Sequence, residues 1–234
     1  MALLSRSVLI TCFYFFVVIS AFAQVKADNQ DRIYGYDPLL YNGRVYAYFP
    51  KPGTAGTPYL FPDFDAQGSV TLRGVTFTNV CINYDLYNQQ LILNYKTVLG
   101  SSSFIELSLA WLENFQIKDS HFEVVTSSDT SKRIFQVLGS GTYQIRYSLY
   151  KALLPDSRTA SRNFFFTDSE KESFVFSGNK MNRYKNNRSF VGTFSSSQQD
   201  AIRKYIRKNK IKVKKASDLK MIELINYCNT LPGL

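Results

Sequence analysis

The chain has 234 residues, 45% of them hydrophobic and 15% aromatic, with 28 Lys and Arg against 18 Asp and Glu. This hydrophobic fraction excludes a disordered chain, and three cysteines are too few for a dense disulfide scaffold. A single histidine, His121, is too few for a multi-histidine metal site, and no partnered nucleophile accompanies it.

Residues 1–23 read as a cleavable secretory signal peptide. Arg6 supplies the charged start, an apolar run spans Val8 to Phe22, and Ala21-Phe22-Ala23 places small residues at the two positions read by a signal peptidase. Cleavage is expected between Ala23 and Gln24, with Val25-Lys26-Ala27 as a weaker second site. The apolar run is about 15 residues, short of the ~20 that span a bilayer as a helix. No later stretch is long and apolar enough to form a transmembrane segment, so a soluble or peripheral mature protein is expected.

Residues 24–66 are rich in tyrosine and turn formers and predict an irregular lead-in lying over the following sheet. Gly43 to Phe49 is a short strand candidate within it. From residue 67 to 194, period-two patterns follow one another. They include Val70 and Leu72; Val75 and Phe77; Val80, Ile82 and Tyr84; Leu91, Leu93 and Tyr95; and Ile105, Leu107, Leu109 and Trp111. Ile134 to Leu138, then Gly139-Ser140-Gly141, then Tyr143, Ile145, Tyr147 and Leu149 read as a hairpin. Asn163 to Phe166 and Ser173 to Phe176 are short aromatic strands. The fold class is mainly β: an antiparallel sandwich or curled sheet of eight to ten strands, with two C-terminal α-helices.

Those helices occupy residues 195–234. Ser195-x-x-Gln198 has capping-box spacing and opens a helix over Ser196 to Lys208 that buries Ile202, Tyr205 and Ile206. Ser217 caps a second helix to about Asn229. Met221, Leu224, Ile225 and Cys228 form its apolar stripe, widened by Leu219 and Ile222. Cys81 and Cys228 lie in a strand pattern and a helix pattern, and are read as two buried thiols rather than a bridge.

Charge is concentrated in one segment. Gln24 to Asn179 carries 14 basic and 15 acidic residues, whereas Lys180 to Lys220 carries 13 basic and 2 acidic residues. On the first helix Arg203, Lys204, Arg207, Lys208 and Lys210 lie opposite Ile202 and Ile206, and Lys212, Lys214 and Lys215 continue in the connection. Such a surface attracts phosphates, acidic lipids or acidic protein patches. Nucleic acid is a poor match for an exported chain, and the eight-residue connection is too long for a helix-turn-helix reader. Other constellations have bland readings. Asp63 and Asp65 sit in a Pro-rich loop without further carboxylates, and Gly139-Ser140-Gly141 lacks the spacing of a nucleophile elbow.

Four blocks carry a resemblance: Gly68 to Leu72, Asn83 to Leu91, Ile202 to Lys210, and Leu224 to Asn229. They resemble a broad set of secreted Bacteroidota proteins that pair a β-rich region with a basic C-terminal helix pair. The resemblance implies a Gram-negative envelope setting, in the periplasm, at the outer-membrane periphery or outside the cell, and it assigns no functional residue. Position 228 is more often aromatic in that set, which speaks against a Cys81–Cys228 bridge.

The expectation is therefore an exported, non-enzymatic envelope interaction or structural module. Its contact surface would be Arg203, Lys204, Arg207, Lys208, Lys210, Lys212, Lys214 and Lys215, its partner an acidic envelope protein or anionic lipid, and no cofactor is called for. The alternatives are an enzyme acting on an envelope polymer through a carboxylate site, or a lipid- or polysaccharide-binding protein.

Overall fold

The computed structural model describes residues 37–232, apart from 42, 49, 65, 97–100, 127–130 and 158–162. The expected signal peptide, the first part of the lead-in and Asp65 lie outside the described residues.

The described residues are mainly β, with three helices near the C-terminus. The strands are β1 (Arg44–Val45), β2 (Thr54–Ala55), β3 (Gln67–Leu72), β4 (Val75–Asp85), β5 (Gln90–Lys96), β6 (Ser102–Glu106) and β7 (Leu112–Ile117). They continue with β8 (Ser120–Thr126), β9 (Lys132–Leu138), β10 (Tyr143–Tyr150), β11 (Leu153–Pro155), β12 (Phe164–Phe166), β13 (Glu170–Ser177) and β14 (Lys180–Tyr184). The helices are α1 (Asn187–Val191), α2 (Ser196–Lys208) and α3 (Asp218–Thr230).

Eleven strands form one open antiparallel sheet in the order β1-β6-β5-β4-β3-β7-β8-β9-β10-β13-β14, and β11-β12-β2 form a small second sheet. Of the two architectures expected, a single large sheet replaces the sandwich. It consists of two meanders set back to back. Strands β3 to β6 step out to one edge, the chain returns to pair β7 beside β3, and β7 to β10 step out the other way.

That return corrects the reading of Ile105 to Trp111 as one strand. β6 stops at Glu106, and the Trp111 and Leu112 amides both donate to the Ser108 carbonyl, closing a turn. Alternation persists across the turn only because Leu107 is buried and Leu109 packs on the core. Trp111 is partly buried, with the Arg73 guanidinium 4.2 Å from its ring centre.

One face of the sheet carries the core. Phe115 of β7 stacks on Phe122 of β8 with centroids 4.6 Å apart, and Tyr84 of β4 meets both rings edge-on. α3 lies on β9 and β10. Met221, Leu224, Ile225 and Cys228 are all fully buried there, as their spacing requires. The expected widening of that face fails at Leu219, which is 67% exposed in the first turn of α3, while Ile222 is half-buried. Among the described residues Cys81 and Cys228 are free; Cys228 is buried, but Cys81 is only partly so.

The last part of the lead-in lies against the sheet. Ahead of the start of β3, Pro58, Leu60 and Ala66 take over its place beside β4: the Leu60 amide donates to Tyr84 O, Leu86 N to Pro58 O and Ile82 N to Ala66 O. The Lys151 ammonium, pulled below its ordinary pKa by burial, donates to Thr57 O and Tyr59 O.

Candidate functional site

The basic surface is built by α1, α2 and the loop that follows α2. α1 was not foreseen. It begins where the Asn186 carboxamide accepts the Ser189 amide at 2.9 Å and Ser189 Oγ accepts the Asn186 amide at 3.0 Å. This reciprocal cap uses Asn and Ser in place of the usual Ser/Thr and Glu pairing. α1 buries Phe190 and Val191, with Phe190 edge-on to Tyr184 at 5.0 Å.

α2 has the predicted bounds, but the capping box does not form. Ser195 makes no side-chain cap; its hydroxyl donates to Gln198 Oε1, which also receives the Tyr143 hydroxyl at 3.0 Å. Gln198 is buried and serves as a tie between helix and sheet instead. At the other end Lys210 turns left-handed, with φ at 50°. The Lys210 amide reaches Arg207 O and the Ile211 amide reaches Ile206 O. These are the two bonds of a Schellman end, and Ile211 packs back towards Ile206 as that motif favours. Glycine is the usual residue there. A lysine instead sets an ammonium beside the partially negative helix C-terminus, where it is favourable.

All eight predicted residues, Arg203, Lys204, Arg207, Lys208, Lys210, Lys212, Lys214 and Lys215, are exposed. Four of them, Arg203, Arg207, Lys210 and Lys212, join Arg188 of α1 around a groove of about 500 Å³. Val191, Ile206 and Ile211 line its floor, though packing leaves them only 3%, 6% and 4% exposed. Lys214 and Lys215 continue the charge on the far side of Arg188 and Lys212, and Lys215 meets Lys220 around a further shallow hollow. Lys204 and Lys208 lie on α2 outside the groove. Arg203 is held by Asp200 at 2.6 Å and by Gln199 at 3.0 Å. Among the described residues the ion pairs leave Arg188, Arg207, Lys210 and Lys212 uncommitted. Arg188 was missed because α1 is too short for a periodic signal; the Asn186-x-x-Ser189 spacing was the only hint.

A larger cleft of about 720 Å³ opens on the sheet near the N-terminus of α3, with Glu170, Glu172 and Asp218 among its lining residues. Here each carboxylate has a partner. Glu172 lies between Arg183 at 2.7 Å and Arg133 at 3.4 Å, and Glu170 receives the Tyr150 hydroxyl at 2.8 Å. Asp218 receives Gln136 Nε2 at 3.0 Å and faces the Lys171 ammonium at 3.6 Å. Below them Tyr147 and Tyr184 influence each other electrostatically, but neither hydroxyl has a hydrogen-bond partner of good geometry among the described residues. Burial raises the pKa of both phenols, Tyr184 to about 12. The cleft mixes both signs, with Glu172 and Asp218 in ion pairs, whereas the charged residues lining the groove are all cations. His121 is exposed on β8, 3.7 Å from Glu123.

No protein-family model matches this chain, nor does any curated protein or solved structure.

Proposed function

We propose that this is a non-catalytic binding module that holds an anionic component of the cell envelope against its basic C-terminal surface. The observation that carries the reading is the convergence of cations from three segments, α1, α2 and the loop after α2, on one exposed surface whose single ion pair among the described residues, Asp200 with Arg203, offsets only one of them. Helix-end electrostatics accounts for Arg207, Lys208 and Lys210. It does not account for Lys212, Lys214 and Lys215, which the fold nonetheless gathers beside them and beside Arg188 of α1. The apolar N-terminal run and the four blocks that resemble secreted Bacteroidota proteins support the envelope setting.

An enzymatic reading would call on the larger cleft, whose carboxylates are each paired and so poorly placed to act as free acid and base.

Co-sedimentation with vesicles tests the proposal. Protein should pellet with anionic but not zwitterionic vesicles at low salt, and be released as the Debye length falls from about 10 Å at 0.1 M to about 3 Å at 1 M. Each basic residue at an anionic surface contributes ~1 kcal/mol. Arg207→Glu, Lys210→Glu and Lys212→Glu together should therefore weaken association more than about a hundredfold. Equal pelleting of the triple variant at low salt would refute the reading.

A further inference from the structure

The groove between α1 and the end of α2 differs from a plain basic surface, because its charges stand over an apolar floor. We propose that it binds a single-chain amphiphile with a phosphate-type head, the head on Arg188, Arg207, Lys210 and Lys212 and the first few methylenes of the alkyl chain over the uncovered edges of Val191, Ile206 and Ile211. The proposal rests on the basic-surface reading and narrows it to one ligand chemistry.

The polar lining decides the ligand. Its cations offer hydrogen-bond donors only. The one side-chain carbonyl, Asn187 Oδ1, already accepts the Val213 amide at 2.9 Å, while its Nδ2 donates to Ile211 O at 2.8 Å. A peptide laid in the groove would bring backbone N–H groups to a wall without a free side-chain acceptor, and buried N–H groups without partners are costly. An alkyl phosphate has an acceptor-only head and a tail with no polar group to satisfy, so donors meet acceptors and methylenes meet aliphatic side chains. The volume of about 500 Å³ lies within the range of small-molecule sites. Arg203 contributes least to the head because Asp200 already holds it at 2.6 Å.

The test is calorimetric titration of the purified full chain with dodecyl phosphate below its micelle concentration, inorganic phosphate, and an uncharged dodecyl glycoside. Each methylene transferred from water to the floor contributes a factor of about four. Three of them should make dodecyl phosphate bind roughly 50-fold more tightly than inorganic phosphate. The glycoside should bind far more weakly than dodecyl phosphate. Arg188→Glu with Arg207→Glu should weaken dodecyl phosphate binding more than about tenfold, since two near-surface cations are worth ~1 kcal/mol each. Lys204→Glu with Lys208→Glu, an equal change of charge outside the groove, should stay within about threefold of wild type. All four side chains are exposed, so the variants should keep the wild-type circular dichroism. Equal affinity for dodecyl and inorganic phosphate, or equal losses in the two double variants, would overturn the groove while leaving the basic surface intact. No binding of any anion at low salt would overturn both.

Discussion

Asn187 clasps Ile211: its Nδ2 donates to the Ile211 carbonyl at 2.8 Å, while its Oδ1 takes the Val213 amide at 2.9 Å. One carboxamide on α1 thereby fixes the loop after α2. In that loop Ile211 and Val213 are buried, and Lys210, Lys212 and Lys214 alternate with them in solvent. Asn187→Ala should cost about 2 kcal/mol in urea melts, roughly 1 kcal/mol for each bond lost. It should also speed hydrogen exchange at the Val213 amide. A cost below ~0.5 kcal/mol would show that packing alone holds the loop.

Asp85 is fully buried and accepts four bonds. They come from the Tyr46 hydroxyl at 2.6 Å, the Tyr87 and Asn88 amides at 2.9 and 2.8 Å, and Asn88 Nδ2 at 2.7 Å. The turn from Leu86 to Gln89 is built around this carboxylate. Asp85→Ala strands several donors and should destabilise by ~3 kcal/mol or more, while Tyr46→Phe, which removes one donor, should cost ~1–2 kcal/mol. Equilibrium denaturation of both variants checks the order; equal costs would mean that the turn amides contribute nothing.

Gly139 shows how α3 docks. Its φ is 76°, and a Cβ there would strike the Ile225 side chain. Asn229 completes the seat, accepting the Tyr143 amide at 2.8 Å and donating to Ser140 O and Tyr143 O at 2.9 Å. Gly139→Ala should combine left-handed strain with a clash and cost ~2–4 kcal/mol. The reciprocal change Ile225→Ala, made in addition, should recover part of the clash component. Melts showing two fully additive losses would place the cost in the backbone alone.

Burial raises the Cys228 thiol from its ordinary 9.0 to about 12 and the Tyr184 phenol from 10.0 to about 12. Both groups are neutral in the fold, so their contribution is complete below pH 9. It is lost between pH 9 and 12, as the unfolded chain ionises first. Each group should lower stability by up to about 1.4 kcal/mol per pH unit inside its window. Urea midpoints should fall from pH 9 to pH 11, and Cys228→Ala should flatten part of that slope. At pH 8 a thiol reagent should modify Cys228 only after denaturant is added, as peptide mapping would report.

Local pattern alone determined much of this protein. Period two located β3, β5, β9 and β10, and period 3.6 with Ser217 as cap located α3 and its buried stripe. The concentration of charge between Lys180 and Lys220 needs no structure at all. These features are legible because each depends on spacing within one segment. Tertiary structure decided the rest. The run from Ile105 to Trp111 alternates like a strand, yet strand pairing requires a partner, and β7 finds its partner in β3, 40 to 49 residues away in sequence, from Leu72 with Leu112 to Gly68 with Ile117. Gln198 has the spacing of a cap but is claimed by Tyr143, because a buried amide must satisfy the donors and acceptors around it. Arg188 joins the basic groove only because Asn187 brings α1 against the loop after α2. A groove is a relation between segments distant along the chain, and no single segment's periodicity encodes it.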